Sequence, residues 1–279
     1  MTDATSPYEQ LKADLGYLGL GRAAECFAVL ADQAKAEGWG HVGYLARVVA
    51  EQASATTNRR LASRMRFAHF PFRRTIDEFD FDFQPSIDRK VVEDLATLRF
   101  IAEGRSLAFL GQPGCGKTHL AVALATRAIE AGYRGYFTTT ADDMVVALSR
   151  ARTEGNWASK LRLYTSPSVL VIDDVGLLPM ARDAAGTFFH VINARYEKAT
   201  PTLITTNRGL PAWGELFGDD VVASAILDRI LHKAVVLNIR GPSWRMREHQ
   251  ALAEAARRPQ DTATAEQRTA AQQEGGRDK

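Results

Sequence analysis

The stretch that most constrains this chain is Gly111-Gln112-Pro113-Gly114-Cys115-Gly116-Lys117-Thr118. It follows the apolar run Leu107-Ala108-Phe109-Leu110 and opens a helical pattern, so it reads as G-x-x-x-x-G-K-T between a strand and a helix. Four such fixed positions arise by accident on the order of once in a hundred chains of this length, given average residue usage. The strand before and the helix after lower that further. In such a loop the glycines let successive backbone N–H groups turn inward around phosphate oxygens. Lys117 reaches the β- and γ-phosphates, and the Thr118 hydroxyl completes the shell of a Mg2+ ion. Gly111, Gln112, Pro113, Gly114, Cys115, Gly116, Lys117 and Thr118 are therefore the expected nucleotide-binding residues, with ATP and Mg2+ as cofactors.

Downstream of the loop, helical patterns and apolar runs alternate. The spacing predicts a helix over 117–131, a strand over 135–139, a helix over 141–150 and a buried strand over 168–172 that ends in Asp173-Asp174. A helix over 183–198, a strand over 202–206 ending at Asn207, a helix over 221–232 and a strand over 234–239 follow. Such alternation means an α/β fold of the P-loop NTPase type, a parallel sheet covered by helices on both faces with its ligand at the carboxyl ends of the strands. The notable polar residues sit at those ends. Asp173 is placed to hold the metal and Asp174 to orient an attacking water, although Asp174 can also be a plain strand-end carboxylate. Asn207 can hold that water from the other side or act as a turn residue. Arg229 and Arg245 are candidates for stabilising phosphate charge. An arginine supplied by a neighbouring subunit would make hydrolysis depend on assembly; Arg229 can equally pair with Asp228 or Glu248. Cys115 lies beside a helix N-terminus, where the dipole and Lys117 favour a thiolate, so its oxidation or alkylation is expected to block nucleotide binding.

Ahead of the loop, apolar residues recur at helical spacing from Tyr8 to about Ser54, broken into short helices at Gly16, Gly19, Gly21 and Gly38-Trp39-Gly40. This module is too small to be stable alone and is expected to pack on the ATPase or on another copy. A helix over 58–68 spreads Arg59, Arg60, Arg64 and Arg66 around its surface, and Pro71 stops it. With Arg73 and Arg74 they fall within sixteen residues that contain no Asp or Glu. Such a run is either a solvated face or a surface that tracks DNA phosphates, and its all-arginine composition favours DNA. Phe79, Phe81 and Phe83, interleaved with acids, are expected to dock the linker on the ATPase, and a helix over 91–101 ends at Gly104. The domain reading is a helical DNA-binding or oligomerisation module over 1–74, a linker and docking helix over 75–104, the ATPase over 105–250 and a disordered tail over 251–279. No run of eighteen apolar residues and no signal-like N-terminus occur, so a cytosolic protein with no membrane contact is expected. Cys26 and Cys115 are the only cysteines and lack metal-ligand spacing, which argues against a disulfide framework and a zinc site.

Several of these runs together resemble one family. Gly116-Lys117-Thr118-His119-Leu120-Ala121, Asp173-Asp174-Val175-Gly176, Thr205-Thr206-Asn207-Arg208, and the block from Trp213 to Asp219 through Leu227-Asp228-Arg229 look like IstB proteins, the ATP-binding helpers of insertion-sequence transposition. These are relatives of the helicase loader DnaC in the AAA+ superfamily. The likeness covers roughly residues 8 to 250, including the arginine-rich segment. It implies an ATPase that assembles as a homo-oligomer on duplex DNA, deforms it and presents it to a partner transposase. It also implies Lys117, Thr118 and His119 at the nucleotide, Asp173 and Asp174 as the Walker B pair, Asn207 as sensor 1 and Arg229 as the finger. The superfamily commonly has Glu as the second acid. Asp174 is a methylene shorter, so slow turnover is expected, and the usual C-terminal lid is expected to be missing or vestigial. The competing readings are a helicase loader whose N-terminal module grips a helicase, a small-molecule kinase, for which no acceptor pocket or lid is legible, and a non-hydrolysing nucleotide-gated scaffold.

Overall fold

The computed structural model describes residues 6–138, 140–176, 180 and 182–247, with the side chains at 182 and 183 excepted. Glu248 and the tail over 251–279 lie outside the described residues. Contacts within the chain separate two compact units, which meet between Arg66 and Phe67.

The first unit is helical: α1 (Pro7–Tyr17), α2 (Gly21–Glu37) and α3 (His41–Phe67). Pro7 opens α1, and the Ser6 hydroxyl accepts the N–H of Glu9. Gly38 in the left-handed conformation closes α2. The helix expected over 58–68 is not separate. It is the end of α3, because between Gly43 and Pro71 no residue breaks the pattern. The core of this unit is small: Ala23, Phe27 and Val48 are buried against Leu15, Leu20, Ala28, Leu30 and Tyr44. Gln52 on α3 is buried and its side-chain carbonyl accepts the N–H of Ala23 at 3.1 Å, so it serves an open donor of α2, whose N-cap Leu20 offers none.

The second unit opens with the linker, then α4 (Arg89–Ala96) and α5 (Arg99–Ala102), separated where Leu98 turns left-handed. It continues β1 (Leu107–Gly111), α6 (Lys117–Glu130), β2 (Gly135–Thr138), α7 (Ala141–Thr153), α8 (Trp157–Thr165), β3 (Val169–Ile172), α9 (Arg182–Glu197), β4 (Thr202–Thr206), a 3-10 turn at Leu210–Ala212, α10 (Trp213–Phe217), α11 (Asp220–Leu231) and β5 (Val235–Ile239). All the pairings are parallel, and the strand order is β2-β3-β4-β1-β5. The fold is therefore the α/β P-loop type, a parallel sheet with helices on both faces. The edge strand β5 alternates exposed and buried residues, whereas β3 and β4 are buried throughout, as strands covered on both faces must be. Alternate residues feed two cores. Leu107, Phe109, Val169, Val171 and Leu203 pack with α6, α4 and α5; Leu170, Ile172 and Ile204 pack with α7, α9, α10 and α11. The sequence reading did not predict α8 and α10. No described helix is long and apolar enough to cross a membrane.

Candidate nucleotide-binding site

The order of the strands puts β1 between β4 and β5, so the chain leaves β1 in opposite directions on its two sides, and the loop after such a strand faces an open crevice. That loop is Gly111–Gly116, and α6 begins at Lys117. Gly114 and Gly116 have φ of +82° and +97°, values that L side chains rarely adopt. Space forbids a side chain at Gly111 as well, since a Cβ there would lie 2.3 Å from the carbonyl oxygen of Ile239. The ammonium of Lys117, only 5% exposed, donates to the carbonyls of Gly111 and Gln112 at 2.9 and 3.0 Å.

Thr118 lies one residue into α6, and its hydroxyl donates to both oxygens of Asp173, at 2.8 and 3.1 Å. Asp173 also accepts the hydroxyl of Thr205, which is on β4. Burial raises the carboxyl of Asp173 above its ordinary range, while the donated hydrogen bonds of Thr205 and Thr118 act the other way. A hydroxyl and a carboxylate converging beneath a phosphate loop are hard oxygen donors, so the residues fit a Mg2+ ion. Asp174 leaves the strand with φ +46° and gives its N–H to the Thr205 hydroxyl at 2.9 Å.

A cavity of about 460 Å³ holds most of the expected residues together: Pro113, Gly114, Cys115, Gly116, Lys117, Thr118 and His119 on one side, Asp174 and Arg245 on others. Its remaining wall is the linker, from Phe72 to Gln84, with Trp244. Phe79 is buried and seats its ring against Gly116, where a Cβ would stand 2.6 Å away. The His119 imidazole meets the ring of Phe79 edge-on and pairs with the carbonyl of Thr75 at 2.8 Å. Burial lowers the pKa of His119, so it is neutral at physiological pH and its Nε2–H donates to Thr75. Trp244 donates its backbone N–H to the carbonyl of Gly114 at 3.0 Å, which ties the segment carrying Arg245 to the loop itself.

Other expected residues lie elsewhere. Asn207 is exposed and borders a separate hollow with Gly111, Gln112 and Arg240. Arg229 faces its own subunit's α9: it donates to Asn193 Oδ1 and to the carbonyl of Ala225, and lies 4.8 Å from the ring of Phe189. Cys115 is 1% exposed and belongs to the apolar core, with Sγ packed beneath Gly111. A thiol so covered meets no reagent until the loop opens, so the expected sensitivity to alkylation loses its basis. In the first unit Arg59, Arg60 and Arg66 are exposed and Arg64 is half-buried; Arg73 is exposed in the second. None of these five is in an ion pair among the described residues. Arg74 differs: it pairs with Glu78 at 3.5 Å and lines the cavity. The sequence reading missed Thr205, Gln84 and Trp244 as site residues. The signal for Thr205 was a hydroxyl near the carboxyl end of a strand, the end at which a ligand is expected.

The sequence profile of the family described as IstB-like ATP binding protein matches residues 13–252. A relative from Pseudomonas aeruginosa, named as an ATP-binding protein of insertion sequence IS21, is 41% identical over 219 residues, 78% of this chain and 82% of that one. Another, from Geobacillus stearothermophilus and named likewise for insertion sequence IS5376, is 40% identical over 225 residues, 81% of this chain and 89% of its own length. The crystal structure of DnaI is similar in fold, with a TM-score of 0.51 and 23% identity over 60% of this chain and 92% of DnaI.

Proposed function

The chain belongs to the family of IstB-like ATP-binding proteins, and from that premise we propose that it is an ATPase that assembles on duplex DNA and presents that DNA as a target to a partner transposase. The observation that carries this reading is the extent of the likeness. The matched residues, 13–252, run through both units, the arginine-bearing α3 as well as the nucleotide cavity, and the relatives are named for insertion sequences.

Within the site, Lys117 and the loop amides hold the phosphates, and Thr118 with Asp173 holds Mg2+. The bound ion supplies neutralisation of charge on the β- and γ-phosphates. Asp174 orients the attacking water, and its short side chain on a left-handed residue keeps turnover slow. Arg245 reaches the phosphates from its own chain. Arg229, turned away on α11, completes the site of a neighbouring copy, with Asn207 of the receiving chain swinging toward the water from the end of β4. Hydrolysis is then a property of the assembly. The exposed arginines of α3 hold duplex phosphates without reading sequence.

The test is sedimentation of the full chain with random duplex DNA, with and without a slowly hydrolysed ATP analogue, beside Lys117→Ala. Large nucleotide-dependent assemblies on DNA, absent in the variant, are expected. A nucleotide-bound species that ignores duplex DNA overturns this reading and favours a helicase loader, with the arginines demoted to a solvated face.

A further inference from the structure

Thr205 is fully buried on β4, two residues before Asn207. Its single hydroxyl spans both acids at the end of β3, donating to Asp173 Oδ1 at 2.5 Å and accepting the backbone N–H of Asp174 at 2.9 Å. The second bond matters because Asp174 sits at φ +46°, a conformation costly for a residue with a Cβ, and surrounding structure must hold it there. The first matters because Asp173 Oδ1 accepts from two hydroxyls, whereas Oδ2 accepts only from Thr118, at 3.1 Å. When Thr118 turns its oxygen toward a cation, Thr205 is the donor left on Oδ1.

We propose that Thr205 is the positioning residue of the acidic pair. It holds Asp173 by Oδ1 so that Oδ2 is presented to the cation or its water, and it fixes the direction in which Asp174 leaves the sheet. It touches neither nucleotide nor metal, and acts through the two aspartates. Because Asn207 directly follows β4, the same hydroxyl joins the strand that leads to the expected water-holding residue to both acids. This inference rests on the ATP-site reading given above. Valine, which has the shape of threonine without its hydroxyl, makes neither bond; serine makes both.

The experiment is a Mg2+ titration of fluorescent ADP binding by the full chain, run on the wild type, Thr205→Val and Thr205→Ser, with binding also measured without Mg2+. Removing a partner that orients a metal ligand typically weakens metal affinity about tenfold or more. Thr205→Val is expected to raise the Mg2+ concentration for half-saturation by about that factor, with Mg2+-free nucleotide binding unchanged. Thr205→Ser is expected to stay within about twofold of the wild type, since it keeps both hydrogen bonds. If valine prevents folding, Thr205→Ala, which only removes atoms, carries the same expectation. A hydroxyl-free variant that binds nucleotide with wild-type Mg2+ dependence overturns the role of Thr205 while leaving the ATP site standing. A wild-type chain that binds no nucleotide at any Mg2+ concentration overturns both.

Discussion

Asp173 shows how this site stores a cost in the absence of its ligand. The carboxyl is 7% exposed, and burial raises its pKa despite the hydroxyls of Thr205 and Thr118. A raised pKa means that the folded chain binds the proton more tightly than the unfolded chain. The unliganded protein therefore loses stability as pH climbs from the ordinary aspartate value of about 4 through the raised one. Asp173→Asn removes the buried charge while keeping an oxygen that can accept one of the two hydroxyls. We expect the variant to melt at a higher temperature than the wild type at pH 7 and to show a flatter pH profile, with the Mg2+ dependence of nucleotide binding lost. Melting curves from about pH 4 to 7 check this, and a lower midpoint at pH 7 would show that the charge is stabilising instead. Arg195 presents the opposite solution to burial. Its guanidinium, 1% exposed and with a pKa pulled down by burial to about 9, is held by the carbonyls of Tyr164, Pro167 and Pro201 and by the hydroxyl of Thr202. These four donated hydrogen bonds are how a charge with no acidic partner among the described residues stays inside.

Among the elements, the linker does more than join two parts of the chain. Phe79 and Thr75 hold the start of α6 through Gly116 and His119. Further along, Gln84 donates to the carbonyl of Pro242 at 2.8 Å, Ser86 accepts the N–H of Arg240 at 2.8 Å, and Phe83 meets Trp244 edge-on. The linker is thus strapped both to the phosphate loop and to the segment 240–244 at the edge of the site. Phe79→Ala, which empties a buried aromatic position, is expected to cost about 3 kcal/mol of stability and to weaken nucleotide binding, because Gly116 loses the ring that backs it. Urea unfolding and nucleotide titration measure the two effects, and unchanged nucleotide affinity in a folded variant would leave Phe79 as core packing only. That Phe79 docks on the ATPase was legible from its place among acids; that it docks on Gly116 was not, since no local pattern states which surface an aromatic will meet. The strands and the long helices were legible because β1 and β3 are continuous apolar runs, β4 is a run of β-branched and apolar residues, and α6 carries an unbroken helical stripe. The helix α8 was not, although Trp157, Leu161 and Tyr164 recur at helical spacing, because it is short and follows Glu154-Gly155-Asn156, which reads as a loop. Nor was α10, whose five residues are too short to show a period.

At the scale of the whole chain, the two units differ in what stabilises them. The second has a sheet with two apolar cores, whereas the first buries little and leaves Tyr17, Leu18, Val42, Leu45 and Val49 exposed. A weakly cored unit whose Arg59, Arg60, Arg64 and Arg66 have no ion pair among the described residues gains from a large polyanion, because bound phosphates neutralise side chains that repel one another. If those arginines hold duplex phosphates, their contribution follows from counterion release: each phosphate neutralised adds about −0.9 to the slope of log affinity against log salt. Replacing Arg59, Arg60, Arg64 and Arg66 together by Ala is then expected to make that slope shallower by up to about 3.6. Affinity should fall by a similar factor for every duplex sequence, because phosphate contacts carry no sequence information. Nucleotide binding, measured in the absence of DNA, should stay at the wild-type value, since none of the four lines the cavity. Titrations of two unrelated duplexes at several salt concentrations separate the alternatives. An unchanged slope returns these residues to an ordinary solvated face, and a loss confined to one sequence means that they read bases rather than backbone.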